Sequence, residues 1–177
     1  MTSLDIEQAW STDGIAIVRK LWAPDHVDRL ARACERILAQ WRVLNPENGE
    51  PGGGPDAHVM RHLNHPGYFN DHDDEGILML ESIASKEAIG FAEDILQTET
   101  LFRCTSLFFN PHETSVDGNW HRDSQFHAPD ENDEKQLIAE RAHPGTSVQM
   151  QIALIPSDDI EFVPGSHQRW DTEEEYA

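Results

Sequence analysis

Basic residues are scarce in this chain. Thirteen Lys and Arg stand against 33 Asp and Glu, a formal net charge of -20. A field of that sign repels nucleic acid and anionic lipid, so neither is expected as a partner. The acidic residues gather at 71–75, 130–134 and 171–175, which read as solvated loops and helix faces. Cysteine is scarcer still: Cys34 and Cys104 lie far apart, with no partners at metal-ligand spacing. That excludes a disulfide framework and fits a reducing compartment. No apolar run approaches the length of a membrane span. Residues 1–10 lack the basic start and apolar core of a signal peptide. A soluble, cytoplasmic chain is expected. Apolar residues make up 38%, enough for a modest core in one domain of 177 residues.

What is present falls into helical and strand patterns. Residues 3–10 fit a short amphipathic helix, and Asp13-Gly14 fits a turn. Residues 14–19, with Ile15, Ile17 and Val18, fit a strand. Pro24 suits the first turn of a helix, where its missing donor is not needed, and Asp25 suits the dipole there. From Val27, apolar residues recur at Leu30, Ala31, Cys34, Ile37, Leu38 and Trp41, which is helical spacing over four turns. Residues 45–55, with Pro46, Gly49, Pro51 and three consecutive glycines, read as a loop. Helices are expected over 75–84 and 85–96, the second capped by Ser85. Strands are expected over 99–110, 146–155 and 160–163, and a short helix over 134–142. In 146–155 one face is apolar and the other polar but uncharged, which suits a small ligand-holding barrel. Pro164-Gly165-Ser166-His167 reads as a tight turn.

The chemistry concentrates at Asn119-Trp120-His121-Arg122-Asp123-Ser124. If 120–123 is extended, His121 and Asp123 share a face and Arg122 points the other way, toward an acidic neighbour. Two of the three ligands of a 2-His-1-carboxylate iron site fit there. On spacing alone, an imidazole–carboxylate pair in a core hydrogen-bond network explains the two residues at least as well. His58, His62, His65 and His72 form a second histidine-rich stretch. Its spacing lacks the carboxylate pattern of a helical zinc site, so an ordered loop is the simpler reading.

Trp120-His121-Arg122-Asp123, the strand and turn over 147–159 and Val163-Pro164-Gly165-Ser166-His167 together resemble the phytanoyl-CoA dioxygenase family. So does the start, Asp13-Gly14-Ile15-Ala16-Ile17-Val18-Arg19 before a Pro-initiated helix. The resemblance runs from about residue 3 to 176. It implies an α+β fold: a double-stranded β-helix core of the jelly-roll, cupin-like kind with N-terminal helices. It also implies an oxygenase using Fe(II) and 2-oxoglutarate on a small-molecule substrate. By position His121 and Asp123 are the first two iron ligands, and a carboxylate at 123 points to hydroxylation. Asn110, Gln149 and Gln151 match positions that touch the co-substrate. Trp120 and His167 would support the site without ligating.

The family pattern places its distal His and the Arg anchor for 2-oxoglutarate beyond the Pro-Gly-Ser-His turn. Of the histidines after Asp123, His127 follows too closely, His143 stands beside Pro144 and His167 lies in the turn. The resemblance therefore implies a single domain over 1–177 that lacks its C-terminal strands, with an incomplete core. Little activity is expected from such a chain alone, and exposed strand edges invite self-association. Two other readings stand beside the oxygenase. One is a non-catalytic cupin-like binding protein. The other is an interaction protein whose His-rich loop binds metal. The acidic surface argues against a polyanionic substrate in a broad groove and leaves a CoA ester at a local basic patch open.

Overall fold

The structure, a computed structural model, describes residues 3–45, 57–110, 120–126, 128–141, 147–157 and 160–175. Five α-helices and one small sheet make up its regular elements. They are α1 (Ser3–Asp13), α2 (Pro24–Leu44), α3 (Asp73–Ile83), α4 (Lys86–Leu96) and α5 (Glu131–Arg141), with β1 (Val59–Arg61) and β2 (Ser106–Phe108). No described helix is long and apolar enough to cross a membrane.

The core is built on α2. Pro24 opens the helix, and Leu30, Ala33, Cys34, Ile37 and Trp41 form one buried stripe. That stripe meets Met60 and Leu63 from β1 and the residues after it, and Leu78 and Met79 from α3. Burying side chains of this size stabilises by roughly 1.5–3 kcal/mol each, more than any single cap or surface pair contributes. Trp41 packs edge-on against Phe109, with ring centroids 6.0 Å apart. Burial pushes the Cys34 thiol up to about 11, helped by the nearby Glu35 and Glu75 carboxylates.

Polar contacts fix how α3 lies on α2. Arg36 Nε donates to Glu75 Oε2 at 2.6 Å, and Arg36 Nη2 donates to the Tyr68 carbonyl at 2.8 Å. His26 Nε2 lies 2.7 Å from Ser82 Oγ, whose hydroxyl donates to the Leu78 carbonyl. Ser85 caps α4 by accepting from the Ala88 N–H, and α4 packs against α1.

β1 and β2 run antiparallel, with Met60 opposite Leu107. The pairing continues through Phe109 N–H to the His58 carbonyl and His62 N–H to the Thr105 carbonyl. His58 and His62 thus bracket a strand and do not share a helix face. Pro66–Tyr68 forms a 3-10 turn in which His65 Nδ1 accepts from Gly67 N–H.

The strands are fewer and shorter than the sequence pattern suggests. Residues 15–18 form no strand. Of 99–110 only Ser106–Phe108 is a strand, while Leu101 and Phe102 are exposed. Residues 147–155 form no ladder, though Ile152 and Leu154 turn to the core and Gln149, Gln151 and Ala153 turn to solvent. Residues 160–163 also form no strand. A strand is stabilised by its cross-strand partner, so alternation alone does not make one. The sheet among the described residues therefore has two strands. The loop at 46–55 lies outside the described residues.

Candidate functional site

His121 Nε2 stands 3.6 Å from Asp123 Oδ1. Residues 120–122 have no regular structure, and Asp123 opens a 3-10 turn, Asp123–Phe126, closed by Gln125 N–H to the Arg122 carbonyl. Asp123, the last residue of the expected extended run, belongs to the turn instead. The two side chains still converge, and the side-chain exposures, 45% for His121 and 75% for Asp123, leave both open to solvent.

Arg122 points away from the pair and is largely covered, at 17% side-chain exposure. Its Nη1 donates to the Ser166 carbonyl and its Nη2 to Asp171 Oδ1. Its Nε is buried without a hydrogen-bond partner among the described residues. An orphaned buried donor is a cost, so the guanidinium is held there by its two occupied ends. Two residues on, Ser124 Oγ donates to Glu134 Oε1 at 2.7 Å, and Glu134 is itself buried. Asp130 caps α5 by accepting from the N–H groups of Asn132 and Asp133. The helix consequently starts at Glu131, three residues before the apolar pattern marks it.

The Pro-Gly-Ser-His turn is anchored to the end of α1. Gly165, at φ 74°, donates its N–H to the Asp13 carbonyl at 3.0 Å. Gln168 Nε2 donates to the Ser11 carbonyl. The His167 ring lies so close to Gly14 that a Cβ there would stand 2.5 Å from Nδ1. His167 therefore belongs to the joint between turn and helix.

Of the residues singled out in the sequence, the structure brings together His121 and Asp123. Trp120 is exposed. Asn110, Gln149 and Gln151 are exposed on two other segments. His127 and His143 lie outside the described residues. Among the described residues no group of three His, Cys, Asp or Glu is placed to hold a metal. A hollow of about 190 Å³ lies between α2 and α3, lined by Arg29, Arg32, Asp74, Glu75 and Leu78, none of them a motif residue.

Sequence reasoning missed Ser124–Glu134 and the Asp171 partner of Arg122. An acidic partner for Arg122 was expected, but no local signal names one 49 residues away. The Asp130 cap was findable, since Asp followed by acidic residues is a helix-start pattern.

The donor set suits a divalent cation. An imidazole nitrogen and a carboxylate oxygen 3.6 Å apart can both be reached by bonds of about 2.1 Å from one point. The neighbouring guanidinium is bound to Ser166 and Asp171, so it does not neutralise Asp123.

A metal-dependent oxygenase of the cupin-like class would present such a pair, and comparison with known proteins bears on that class directly. The family model for phytanoyl-CoA dioxygenase (PhyH) matches residues 10–176. This chain belongs to the phytanoyl-CoA dioxygenase family. The family's fold is a cupin-like jelly roll and its members are oxygenases of the Fe(II) and 2-oxoglutarate type. Comparison with curated proteins and with solved structures finds no match.

Proposed function

We propose that this chain is an Fe(II)- and 2-oxoglutarate-dependent oxygenase that hydroxylates a small molecule, with His121 and Asp123 as two of the metal ligands. Family membership supports the reaction type, and the observation that carries the assignment is the 3.6 Å approach of His121 Nε2 to Asp123 Oδ1. When bound, iron and 2-oxoglutarate supply oxygen activation and the oxidising power that breaks a C–H bond. The chain's own residues supply the rest. His121 offers a neutral nitrogen donor, and Asp123 offers a carboxylate that offsets part of the metal's charge. Asn110, Gln149 and Gln151 carry uncharged amides suited to hydrogen-bonding the co-substrate's oxygens. In the jelly-roll reading the apolar side of 147–155, with Ile152 and Leu154, packs on the helices, while the amide side faces the ligand.

A second reading, a cupin-like protein that binds metal or ligand without turnover, is favoured by one observation. The pair is open to solvent, and no third ligand joins it among the described residues. Succinate formation from 2-oxoglutarate separates the two. The oxygenase reading expects iron-dependent succinate from the wild-type chain, against the low activity expected from its sequence, and loss of it to background in His121→Ala and Asp123→Ala. Metal binding with no succinate over any panel of small-molecule substrates supports the second reading and contradicts the first.

A further inference from the structure

We propose that the hollow between α2 and α3 binds a small amino-dicarboxylate, with Arg29 and Arg32 taking its two carboxylates and Asp74 its ammonium group. The site is separate from the His121–Asp123 pair and does not depend on a metal there. Its volume is about 190 Å³, and Leu78, only 3% exposed, forms an apolar floor. Arg29 and Arg32 line it from α2, and Asp74 and Glu75 line it from the first turn of α3.

The helical repeat puts Arg29, Arg32 and Arg36 along one side of α2. The carboxylates of α3 answer one of them. Arg36 Nε donates to Glu75 Oε2 at 2.6 Å, so the charge of Glu75 is already matched. The side chains of Arg29, Arg32 and Asp74 form no ion pair among the described residues. The hollow thus holds two uncommitted cations and one uncommitted anion. A ligand with two carboxylates and one ammonium group balances that set group for group. A guanidinium meets a carboxylate as a planar fork, while an ammonium is a point charge that a single carboxylate can hold. Leu78 offers apolar contact to the methylenes between the charged groups. The phosphates of a CoA ester would meet Asp74 and Glu75, and its length exceeds a hollow of this volume. The CoA ester that the sequence leaves open therefore does not fit this basic patch.

The walls of the hollow are held in place by polar contacts at both of its ends. His26, about one turn before Arg29, has its Nε2 2.7 Å from Ser82 Oγ near the end of α3. Arg36, about one turn after Arg32, binds Glu75 near the start of α3 and the Tyr68 carbonyl. These two clamps set the spacing of the helices on either side of Arg29 and Arg32. A preformed site loses less freedom when its ligand arrives. Arg29, Arg32 and Asp74 are exposed, so the site is reachable from solvent and its charge contacts weaken with salt. An affinity on the order of millimolar is expected for a ligand of this size in an open site.

Isothermal titration calorimetry of the full chain, at low salt and without added metal, tests this with L-glutamate, glutarate and 4-aminobutyrate. Glutarate lacks the ammonium group, and 4-aminobutyrate lacks one carboxylate. Saturable binding of glutamate is expected. The other two should each bind about 10-fold more weakly, the effect of losing one charged hydrogen bond. Arg29→Gln and Arg32→Gln should each weaken glutamate by about 10-fold for the same reason. Asp74→Asn should bring glutamate down to the level of glutarate without weakening glutarate. All three side chains are exposed, and far-UV circular dichroism checks that each variant keeps its fold. Absence of saturable glutamate binding overturns the proposal, as does binding that Arg29→Gln and Arg32→Gln leave unchanged. Glutarate that binds the wild-type chain as tightly as glutamate also overturns it, because Asp74 then holds no ammonium group.

Discussion

The ring of His167 fills the space that a side chain on residue 14 would need. Gly14 sits at φ 78°, and a Cβ built there would lie 2.5 Å from His167 Nδ1 and 2.7 Å from its Cγ. These two residues lie at opposite ends of the chain, and their contact joins the end of α1 to the Pro-Gly-Ser-His turn. It also gives His167 a structural role apart from the His121–Asp123 pair.

Gly14→Ala is therefore expected to destabilise the chain. The left-handed backbone alone costs about 1–3 kcal/mol for a residue with a Cβ, and the clash adds to it. Thermal or urea denaturation should show the loss. Adding His167→Ala should recover the steric part and leave the backbone part. Full stability in Gly14→Ala would contradict the close approach.

The two cysteines should react very differently. Cys104 is exposed, while Cys34 is buried with its thiol pushed up to about 11. The thiolate is the reactive form, so Cys34 is protected both by access and by protonation at neutral pH. Iodoacetamide at mildly alkaline pH should modify Cys104 in the native chain and Cys34 only after denaturant is added, as peptide mass spectrometry would show. Native modification of Cys34 would count against the α2 core.

The helices were legible in the sequence, and the strands were not. In α2 the apolar spacing and Pro24 both point to one face and one start, and Leu30, Cys34, Ile37 and Trp41 are buried as that spacing requires. Residues 99–110 and 147–155 carry the alternation of strands. Among the described residues only Ser106–Phe108 becomes a strand, because pairing is decided by distant chain. At the candidate site, the sequence pointed to His121 and Asp123 as a pair, and they do approach, although Asp123 lies in a 3-10 turn and not in the extended run that alternation assumes. The contacts of their neighbours Arg122 and Ser124, to Ser166, Asp171 and Glu134, are tertiary and left no local trace.

Glu175 should show a pH dependence of definite sign. Its carboxyl is held down from 4.5 to about 2, first by the hydrogen bond from Arg169, then by the Thr172 N–H. A carboxyl lowered by folding contributes stability that is present above its unfolded value and lost as pH falls. The window here runs from 4.5 down to about 2. The contact is at the surface, so salt should raise the Glu175 value toward its ordinary range. Carboxyl-resolved NMR titration checks both points, with Arg169→Gln as the control that should raise it at low salt. A Glu175 that titrates near 4.5 at low salt would refute the contact.

The central claim is that His121 and Asp123 hold the metal, and anaerobic Fe(II) titration of the purified chain tests it most directly. Saturable binding by the wild-type chain is expected, abolished in both His121→Ala and Asp123→Ala and retained when His58 and His62 are replaced together by Ala. Binding that survives His121→Ala and Asp123→Ala, and disappears with His58 and His62, would contradict the account and place the metal in the histidine-rich stretch instead.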